Sequence, residues 1–269
     1  MNQKTVFIGA GNMAEALLKG VIAGKIRAPA DILLTDVRPD RLDELAEKYG
    51  TGGSTDNADA IADAGMVFLC VKPQQMDEVL RPLHQVNPEA LWVSIAAGVP
   101  TARIEKNLGP GARVVRVMPN TPALVQKGAA GIAPGTHAMP ADLDAVREIM
   151  ESVGTCVVVD EEDLHAVTAI SGSGPAYVFY LVEAMLKGAE KLGFDPDTAR
   201  ELAIQTVLGA GTLLQESGEA PEALRAKVTS KGGTTAAAVA AFDAAAVGEG
   251  ITAGLLAAEA RSRELAENG

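Results

Sequence analysis

The 269-residue sequence has few aromatic residues, which make up 3% of the chain, and it has two cysteines. Its formal net charge is −12, so it lacks the excess of Lys and Arg that binding to a nucleic-acid backbone requires. No apolar run approaches the roughly 20 residues that span a membrane. The first residues also lack the apolar segment of a secretory leader. We therefore expect a cytoplasmic protein that binds neither nucleic acid nor membrane.

The cysteines, Cys70 and Cys156, lie inside the apolar runs MVFLCV and TCVVV. This setting predicts buried, reduced thiols and disfavours a disulfide or a redox role. The three histidines, at positions 84, 137 and 165, are scattered along the chain. We therefore expect no metal site and no Ser–His–Asp triad, and we expect His165 to be structural.

Strand-like and helix-like segments alternate in the first half of the chain. Strands are predicted for TVFIG (5–9), DILLTDV (31–37), MVFLCV (66–71), LWVSIAAG (91–98) and RVVRVMP (113–119), with edge strands at GAAGIAPG and GTCVVVD. Helices are predicted for 12–24, 39–50, 58–64, 74 to about 82, and 141–151. This alternation predicts an α/β fold with a parallel, doubly wound sheet and helices on both faces.

From residue 163 onward no strand-like run stands out. The predicted helices span 163–170, 175–192, 196–217, 220–227, 233–243 and 248–266, and Gly and Pro separate them. We therefore divide the chain into a nucleotide-binding domain, 1–162, and an all-helical domain, 163–269. Several of these helices are apolar over wide arcs, which favours packing against another subunit.

A glycine-rich motif follows the first strand and opens the first helix. Gly9, Gly11 and Ala14 form the pattern G-x-G-x-x-A. The glycines permit a tight turn and a close approach of a pyrophosphate, and the helix N-terminus supplies N–H donors. The predicted cofactor-binding residues of this motif are Ile8, Gly9, Ala10, Gly11, Asn12 and Met13. A glycine-rich turn without a ligand is the alternative.

The second strand ends in TDVRPDR, which carries conflicting signals about the cofactor. Asp36 would accept a hydrogen bond from a ribose 2′-hydroxyl, which favours NAD. Arg38 and Arg41 would bind a 2′-phosphate, which favours NADP. Because two basic residues flank the site, we favour NADPH and keep NADH as the alternative.

Two further loops leave the carboxyl ends of strands, the edge at which doubly wound sheets bind ligands. The cofactor contacts predicted in them are Cys70, Val71, Lys72 and Pro73 in CVKPQ, and Ala96 and Ala97 in IAAG. Lys72 is either such a contact or an exposed loop charge. Asn57 is either the N-cap of its helix or a residue near the adenine ring.

Two motifs in the middle of the chain combine small and stiff residues. RVMPNTPA (116–123) holds Asn120 and Thr121 between two prolines, which suits a wall of the cofactor cleft. ISGSGPAYVFYLVEA (170–184) opens a long helix with small residues, so we expect another group to approach this helix closely.

A third motif, VTSKGGTT (228–235), precedes an alanine-rich helix. Gly232 and Gly233 expose backbone N–H groups, and Ser230, Thr234 and Thr235 add hydroxyls. At a helix N-terminus these groups predict a site for a small anion. A plain N-cap is the alternative, although a cap needs only one Ser or Thr.

Together, GAGNMA, VKPQ, MPNTP, SGSGPAY and TSKGGTT resemble the pyrroline-5-carboxylate reductase family over residues 1 to about 265. The resemblance implies an N-terminal Rossmann domain and a C-terminal helical domain that interlocks with a second subunit. It also implies a homodimer at least, often assembled into a decamer of five dimers. The implied reaction is hydride transfer from NAD(P)H to the imine carbon of L-1-pyrroline-5-carboxylate, which yields L-proline.

The resemblance also implies roles for individual residues. Ser230, Gly233 and Thr234 would hold the substrate carboxylate, and Thr235 would act at the ring nitrogen as the catalytic group. Glu161 would contact the nicotinamide amide. The family commonly has Pro where this chain has Lys231, and this cation would add attraction for the carboxylate.

Two other classes of function remain open from the residues. A 3-hydroxyacid dehydrogenase of the 6-phosphogluconate type would need a lysine early in the SGSGPAYVFYLVEA helix, but the first one is Lys187. A protein without turnover, either a nucleotide-binding module that senses redox state or a helical scaffold, would not need several small-residue loops around one cleft.

Overall fold

A computed structural model describes residues 4–267 of the chain. They form two compact units: the first runs to Ser173 and resumes at Ala258, and the second is Gly174–Ala257. The second unit therefore begins later than the boundary at 162/163 that we derived from the sequence. The reason is packing, because Leu164 and Val167 lie against Gly131 of the sheet.

The first unit contains an eight-stranded sheet. Its strands are β1 (Lys4–Ile8), β2 (Ile32–Thr35), β3 (Gly52–Ser54), β4 (Ala64–Leu69), β5 (Leu91–Ser94), β6 (Arg113–Met118), β7 (Gly128–Pro134) and β8 (Gly154–Val158). Their order is β3-β2-β1-β4-β5-β6-β7-β8. All neighbouring pairs are parallel except β6 and β7. The predicted α/β class is confirmed, but GAAGIAPG is wrong as an edge strand because β7 lies between β6 and β8.

Helices cover both faces of this sheet. They are α1 (Asn12–Ala23), α2 (Pro39–Tyr49), α3 (Asn57–Ile61), α4 (Met76–Leu80), α5 (Thr101–Leu108), α6 (Pro140–Glu151) and α7 (Leu164–Val167). Short 3₁₀ turns at Pro29–Asp31, Pro73–Gln75, Arg81–Leu83, Thr121–Val125 and Glu161–Asp163, and a π-helical turn at Thr168–Gly172, complete the unit.

Two elements were missing from our sequence-based assignment. Strand β3 has the sequence GGS, which carries no strand propensity, and its pairing with β2 alone makes it a strand. Helix α5 could have been predicted from the sequence, because its buried residues Thr101, Ile104 and Leu108 follow helical spacing.

The core lies on both sides of the sheet, as the alternation of strand side chains requires. On β1, Phe7 belongs to one buried cluster, whereas Val6 and Ile8 belong to the other. Phe7 stacks on Phe68 of β4 with ring centroids 4.8 Å apart. These contacts hold β1 and β4 side by side at the point where the strand order reverses.

The second unit is helical, as predicted. Its helices are α8 (Gly174–Lys191), α9 (Pro196–Ser217), α10 (Pro221–Lys227), α11 (Thr234–Ala244) and the first part of α12 (Val247–Glu267). Many large apolar side chains of these helices are exposed, including Phe179, Tyr180, Leu181, Leu208, Leu213 and Phe242. A single copy of the chain therefore leaves a broad apolar surface on this unit.

Across residues 4–267 no single helix has both the length and the apolar character needed to cross a membrane. Helix α11 and Val247–Ala266 of α12 meet the length and composition criteria only when taken together, with a bend of 53° between them.

Candidate active site

The glycine-rich turn joins the end of β1 to α1. Gly9 has a φ of 96°, and a Cβ atom there would lie 2.8 Å from the carbonyl oxygen of Cys70, so only glycine fits. Gly11 is the N-cap of α1, and no atom lies within 4 Å of the position its Cβ would take. The turn is therefore closed against β4 on one side and leaves space at Gly11 for a ligand, as phosphate binding at a helix N-terminus requires.

A cavity of about 480 Å³ opens beside this turn, at the carboxyl ends of β1, β2 and β4. It is lined by Ile8, Gly9, Gly11, Thr35, Asp36, Val37, Arg38, Thr55, Asn57, Cys70, Val71, Lys72, Gln75 and Val79. The order of strands reverses between β1 and β4, and ligands of doubly wound sheets bind at such a point. The cavity therefore fits a nucleotide cofactor.

Asp36 and Arg38 form an ion pair at the rim of the cavity. Asp36 Oδ1 accepts hydrogen bonds from the backbone N–H and the Nε of Arg38, at 3.0 and 3.1 Å, and Oδ2 accepts from the N–H of Ala10 at 2.9 Å. Burial acts to raise the pKa of Asp36, but these hydrogen bonds outweigh it and the pKa is lowered. Both carboxylate oxygens of Asp36 are therefore already hydrogen-bonded, and Oδ1 orients Arg38. The Arg38 side chain remains 58% exposed.

Arg41, the other arginine considered for a 2′-phosphate, is bound on all sides by protein. Its Nε donates to the carbonyl of Ala10 at 3.0 Å, and its two terminal nitrogens donate to Glu15 and Glu44. The side chain is 13% exposed and does not line the cavity. From the sequence we expected Arg38 and Arg41 to bind the same 2′-phosphate. In the structure, Arg38 lines the cavity and Arg41 does not.

Asn57 lines the cavity but does not cap its helix. The N-cap of α3 is Asp56, whose carboxylate accepts from the N–H groups of Ala58 and Asp59. The side-chain oxygen of Asn57 instead accepts a hydrogen bond from the Thr35 hydroxyl at 2.5 Å. The capping interpretation of Asn57 is wrong because the residue before it already supplies the cap.

In the second unit, VTSKGGTT forms a turn that leads into α11. Gly232 has a φ of 74°, and a Cβ on Gly233 would lie 2.5 Å from the Ser230 hydroxyl oxygen. The N–H of Gly233 donates to the Ser230 carbonyl at 3.0 Å, so it is not the exposed donor we predicted. Among the described residues the hydroxyls of Ser230, Thr234 and Thr235 have no hydrogen-bond partner, and the first N–H groups of α11 lack helical acceptors.

Residues 4–267 contain no group of three or more His, Cys, Asp or Glu residues that could hold a metal ion. The cavity presents the cations Arg38 and Lys72, and the start of α11 presents backbone N–H groups and hydroxyls.

Comparisons with known proteins cover nearly the whole chain. Residues 161–265 match the family model described as pyrroline-5-carboxylate reductase dimerisation, and residues 4–98 match one described as NADP oxidoreductase, coenzyme F420-dependent. The chain is 44% identical to a pyrroline-5-carboxylate reductase of Methanosarcina acetivorans over 98% of both chains. It belongs to the pyrroline-5-carboxylate reductase family. The resemblance that we drew from the motifs is confirmed.

Solved structures of the family agree in fold. The pyrroline-5-carboxylate reductase of Coxiella burnetii is 38% identical, with a TM-score of 0.94 over 98% of this chain and 99% of that one. The pyrroline carboxylate reductase of Plasmodium falciparum, solved with NADP bound, is 25% identical, with a TM-score of 0.86 over 98% of both chains.

Within this reductase fold, about half of the predicted cofactor residues line the cavity. Those that do are Ile8, Gly9, Gly11, Asp36, Arg38, Asn57, Cys70, Val71 and Lys72, whereas Ala10, Asn12, Met13, Pro73, Ala96, Ala97, Asn120 and Glu161 do not. Sequence reasoning missed Thr35, Val37, Thr55, Gln75 and Val79. Val37 is the second residue after β2 and is apolar but 91% exposed in the structure.

Asn120 is buried, and both ends of its amide are used inside the protein. Its nitrogen donates to the carbonyl of Ser171 at 3.0 Å, and its oxygen accepts from the N–H of Ala129 at 2.9 Å. The side chain therefore ties MPNTP to β7 and to the SGSGP segment.

Glu161 lines a second cavity of about 250 Å³, together with Arg116, His165 and Arg263. Glu161 pairs with Arg116, which is almost fully buried, at 3.1 Å. The ring Nδ1 of His165 lies 2.9 Å from the Ser262 hydroxyl. Burial first, and then the positive charges of Arg116 and Arg263, lower the pKa of His165.

Proposed function

We propose that the protein reduces L-1-pyrroline-5-carboxylate to L-proline, the last step of proline biosynthesis, by hydride transfer from NADPH to the imine carbon. The observation that carries this proposal is the full-length similarity to named pyrroline-5-carboxylate reductases. The cavity beside Gly9 and Gly11 and the hydroxyl-rich start of α11 supply the two binding sites that such a reaction needs.

The nucleotide would be held mainly by backbone and by one arginine. The N–H groups at the start of α1, from Gly11 to Met13, suit the pyrophosphate, and the dipole of the twelve-residue helix adds attraction. Arg38 suits the 2′-phosphate of NADPH because Asp36 orients it and its side chain stays exposed. NADH is the weaker alternative, since Asp36 already has three donors. NADPH supplies the hydride when bound.

The substrate carboxylate would be held at the start of α11. The N–H groups of Thr234 and Thr235 are free of helical acceptors, and the hydroxyls of Ser230, Thr234 and Thr235 add donors. Gly232, whose Cβ would meet no atom within 4 Å, leaves room for a small ring beside these donors. The Thr235 hydroxyl would donate to, or accept from, the ring nitrogen as the imine becomes an amine.

No covalent nucleophile is required, because a protonated imine is already electrophilic. The residues therefore act by binding and orienting, and orientation alone lowers a barrier substantially. The contacts that we assigned from the sequence to Pro73, Ala96, Ala97, Asn120 and Glu161 stay predictions.

We further propose that the protein works as a homodimer in the cytoplasm and that five dimers assemble into a decamer. The exposed apolar side chains of α8, α9 and α11 support burial against a second copy. Cys70 and Cys156 are free thiols, and burial raises the pKa of both, to about 11 for Cys156. Such unreactive thiols suit a reducing compartment.

The test is the loss of reduced-nicotinamide absorbance when purified protein is mixed with pyrroline-5-carboxylate and either NADPH or NADH at matched low concentrations. We expect imine-dependent oxidation that is faster with NADPH. Oxidation of a 3-hydroxyacid with NADP, in place of imine reduction, would favour the dehydrogenase alternative. Nucleotide binding without turnover of any cyclic imine would favour a binding module.

A further inference from the structure

We propose that Arg41 is a positioning residue for cofactor binding: from outside the cavity it holds the Ala10 carbonyl and thereby orients the N–H of Gly11. The inference deepens the proposed function and rests on the use of a nicotinamide dinucleotide. Arg41 would set the affinity for NADPH and NADH alike, because it does not contact the 2′-phosphate.

The geometry of the Ala10 peptide units carries this inference. Asp36 accepts from the Ala10 N–H at 2.9 Å, and Arg41 Nε donates to the Ala10 carbonyl at 3.0 Å. Both polar groups of the middle residue of the G-x-G turn are thus held by side chains that follow β2. In a trans peptide the C=O of one residue and the N–H of the next point in opposite directions. The described residues contain no cis peptide bond, so the Gly11 N–H points away from Arg41.

Arg41 is itself held firmly. One terminal nitrogen donates to Glu15 of α1, and the other donates to Glu44 at 2.7 Å. Glu15 also accepts from Lys48 Nζ at 2.7 Å and from the Tyr49 hydroxyl at 2.9 Å. The start of α1 and the body of α2 are therefore joined through one guanidinium that also reaches the turn.

Arg38 provides a matched comparison on the same segment. It pairs with Asp36, lines the cavity and is 58% exposed. Arg41 is 13% exposed and lies outside the lining. A residue that reads the 2′-phosphate changes the ratio of the two nucleotide affinities, whereas a residue that orients a backbone N–H changes both affinities together.

The experiment measures the Kd of NADPH and of NADH by titration of the wild-type protein and of the variants R41M, R41K and R38M, together with kcat at saturating NADPH. We expect R41M to raise both Kd values about tenfold with an unchanged ratio, since a charge-assisted hydrogen bond is lost. Its kcat should stay within about twofold of wild type. R38M should raise the Kd of NADPH alone, and R41K should fall between R41M and wild type.

A selective loss of NADPH affinity in R41M would overturn the inference, because Arg41 would then contact the 2′-phosphate. Unchanged Kd values, or a loss in kcat alone, would overturn it as well. Should R41M fail to fold, E15Q keeps Arg41 but weakens its contact with residue 15. We expect this variant to raise the Kd of NADPH and the Kd of NADH by the same factor. A wild-type protein that binds both nucleotides without reducing pyrroline-5-carboxylate would contradict the proposed function. The role of Arg41 would still be decided by the Kd values of the variants.

Discussion

Glu161 accepts two hydrogen bonds from Thr101, one from its backbone N–H at 2.8 Å and one from its hydroxyl at 2.6 Å. Thr101 is the first residue of α5, whose N-cap, Pro100, has no capping side chain. The same carboxylate pairs with the buried guanidinium of Arg116. A carboxylate from the segment after β8 therefore caps α5 and neutralises an arginine of β6 at the same time.

We expect Glu161→Ala to lower the free energy of unfolding by about 2–4 kcal/mol, because it leaves Arg116 buried without a counter-charge and α5 uncapped. Urea denaturation at a fixed protein concentration measures this loss. The control is Glu162→Ala, which removes an 82%-exposed partner of Arg263 and should cost less than about 1 kcal/mol. Equal losses in the two variants would contradict the capping role.

Glu15 predicts a specific dependence of stability on pH. Hydrogen bonds from Lys48 first, and then from Arg41 and Tyr49, outweigh burial and lower its pKa from 4.5 to about 2. The folded state therefore releases this proton more readily than the unfolded state. Its contribution, on the order of 3 kcal/mol, is fully present above the unfolded pKa and is lost as the pH falls through the folded one.

The measurement is the free energy of unfolding in urea of wild type and Glu15→Gln between about pH 4.5 and about pH 2. The stability difference between them should shrink as the pH drops from about 4.5 toward about 2. Glu47→Gln is the control, since Glu47 is exposed on α2 and no ion pair of it occurs among the described residues. A constant difference across the range would mean that Glu15 stabilises the fold independently of its charge.

His165 predicts a second dependence on pH, closer to neutrality. Burial and the neighbouring Arg116 and Arg263 lower its pKa below 6.5, so the unfolded state takes up the proton first. This histidine therefore makes stability fall as the pH drops below about 6.5, and it has no such effect well above that value.

Chemical denaturation of wild type and His165→Gln between about pH 7.5 and about pH 5.5 measures this effect. The variant should lose less stability over the range than wild type does. His137→Gln, at an exposed position, should behave as wild type. If the stability of His165→Gln falls as steeply with decreasing pH as that of wild type, other groups cause the pH dependence.

Thr235→Ala should lower kcat far more than it changes the Kd of NADPH, because we propose that its hydroxyl acts at the reacting ring. Losing one well-placed hydrogen bond costs roughly 1–3 kcal/mol, or about 5- to 150-fold in rate. Thr235→Ser keeps the hydroxyl and should recover most of the rate. Thr229→Ala is the control, since the Thr229 hydroxyl already donates to the Arg225 carbonyl. An unchanged rate in Thr235→Ala would remove Thr235 from the mechanism.

Lys231 should attract the substrate carboxylate. It is exposed between Ser230 and Gly232, and no ion pair of it occurs among the described residues. We expect Lys231→Met to raise the KM for pyrroline-5-carboxylate by about two- to fivefold and to reduce the effect of added salt, since exposed charges are screened. A KM that stays the same at low salt would contradict this role, and NADPH affinity serves as the internal control.

The sequence was sufficient wherever local pattern and backbone chemistry decide the structure. Gly9 is an example, because the strand–turn–helix context already required a residue without a side chain there. The helices from α8 to α12 are another, because breakers and apolar periodicity mark their ends. The short strand β3 could not be predicted, since only its neighbour in the sheet gives the segment GGS an extended structure.

The sequence by itself determined the α/β class, the helical second half, the glycine turn and the family. Only the tertiary structure separated Arg38 from Arg41, which are alike in chemistry and close in the chain. Glu15 lies on another helix, and its carboxylate removes Arg41 from the cavity while Asp36 keeps Arg38 at the rim. The physical reason is that periodicity reports which face of an element is buried, whereas the pairing of one charge with another depends on distances between elements.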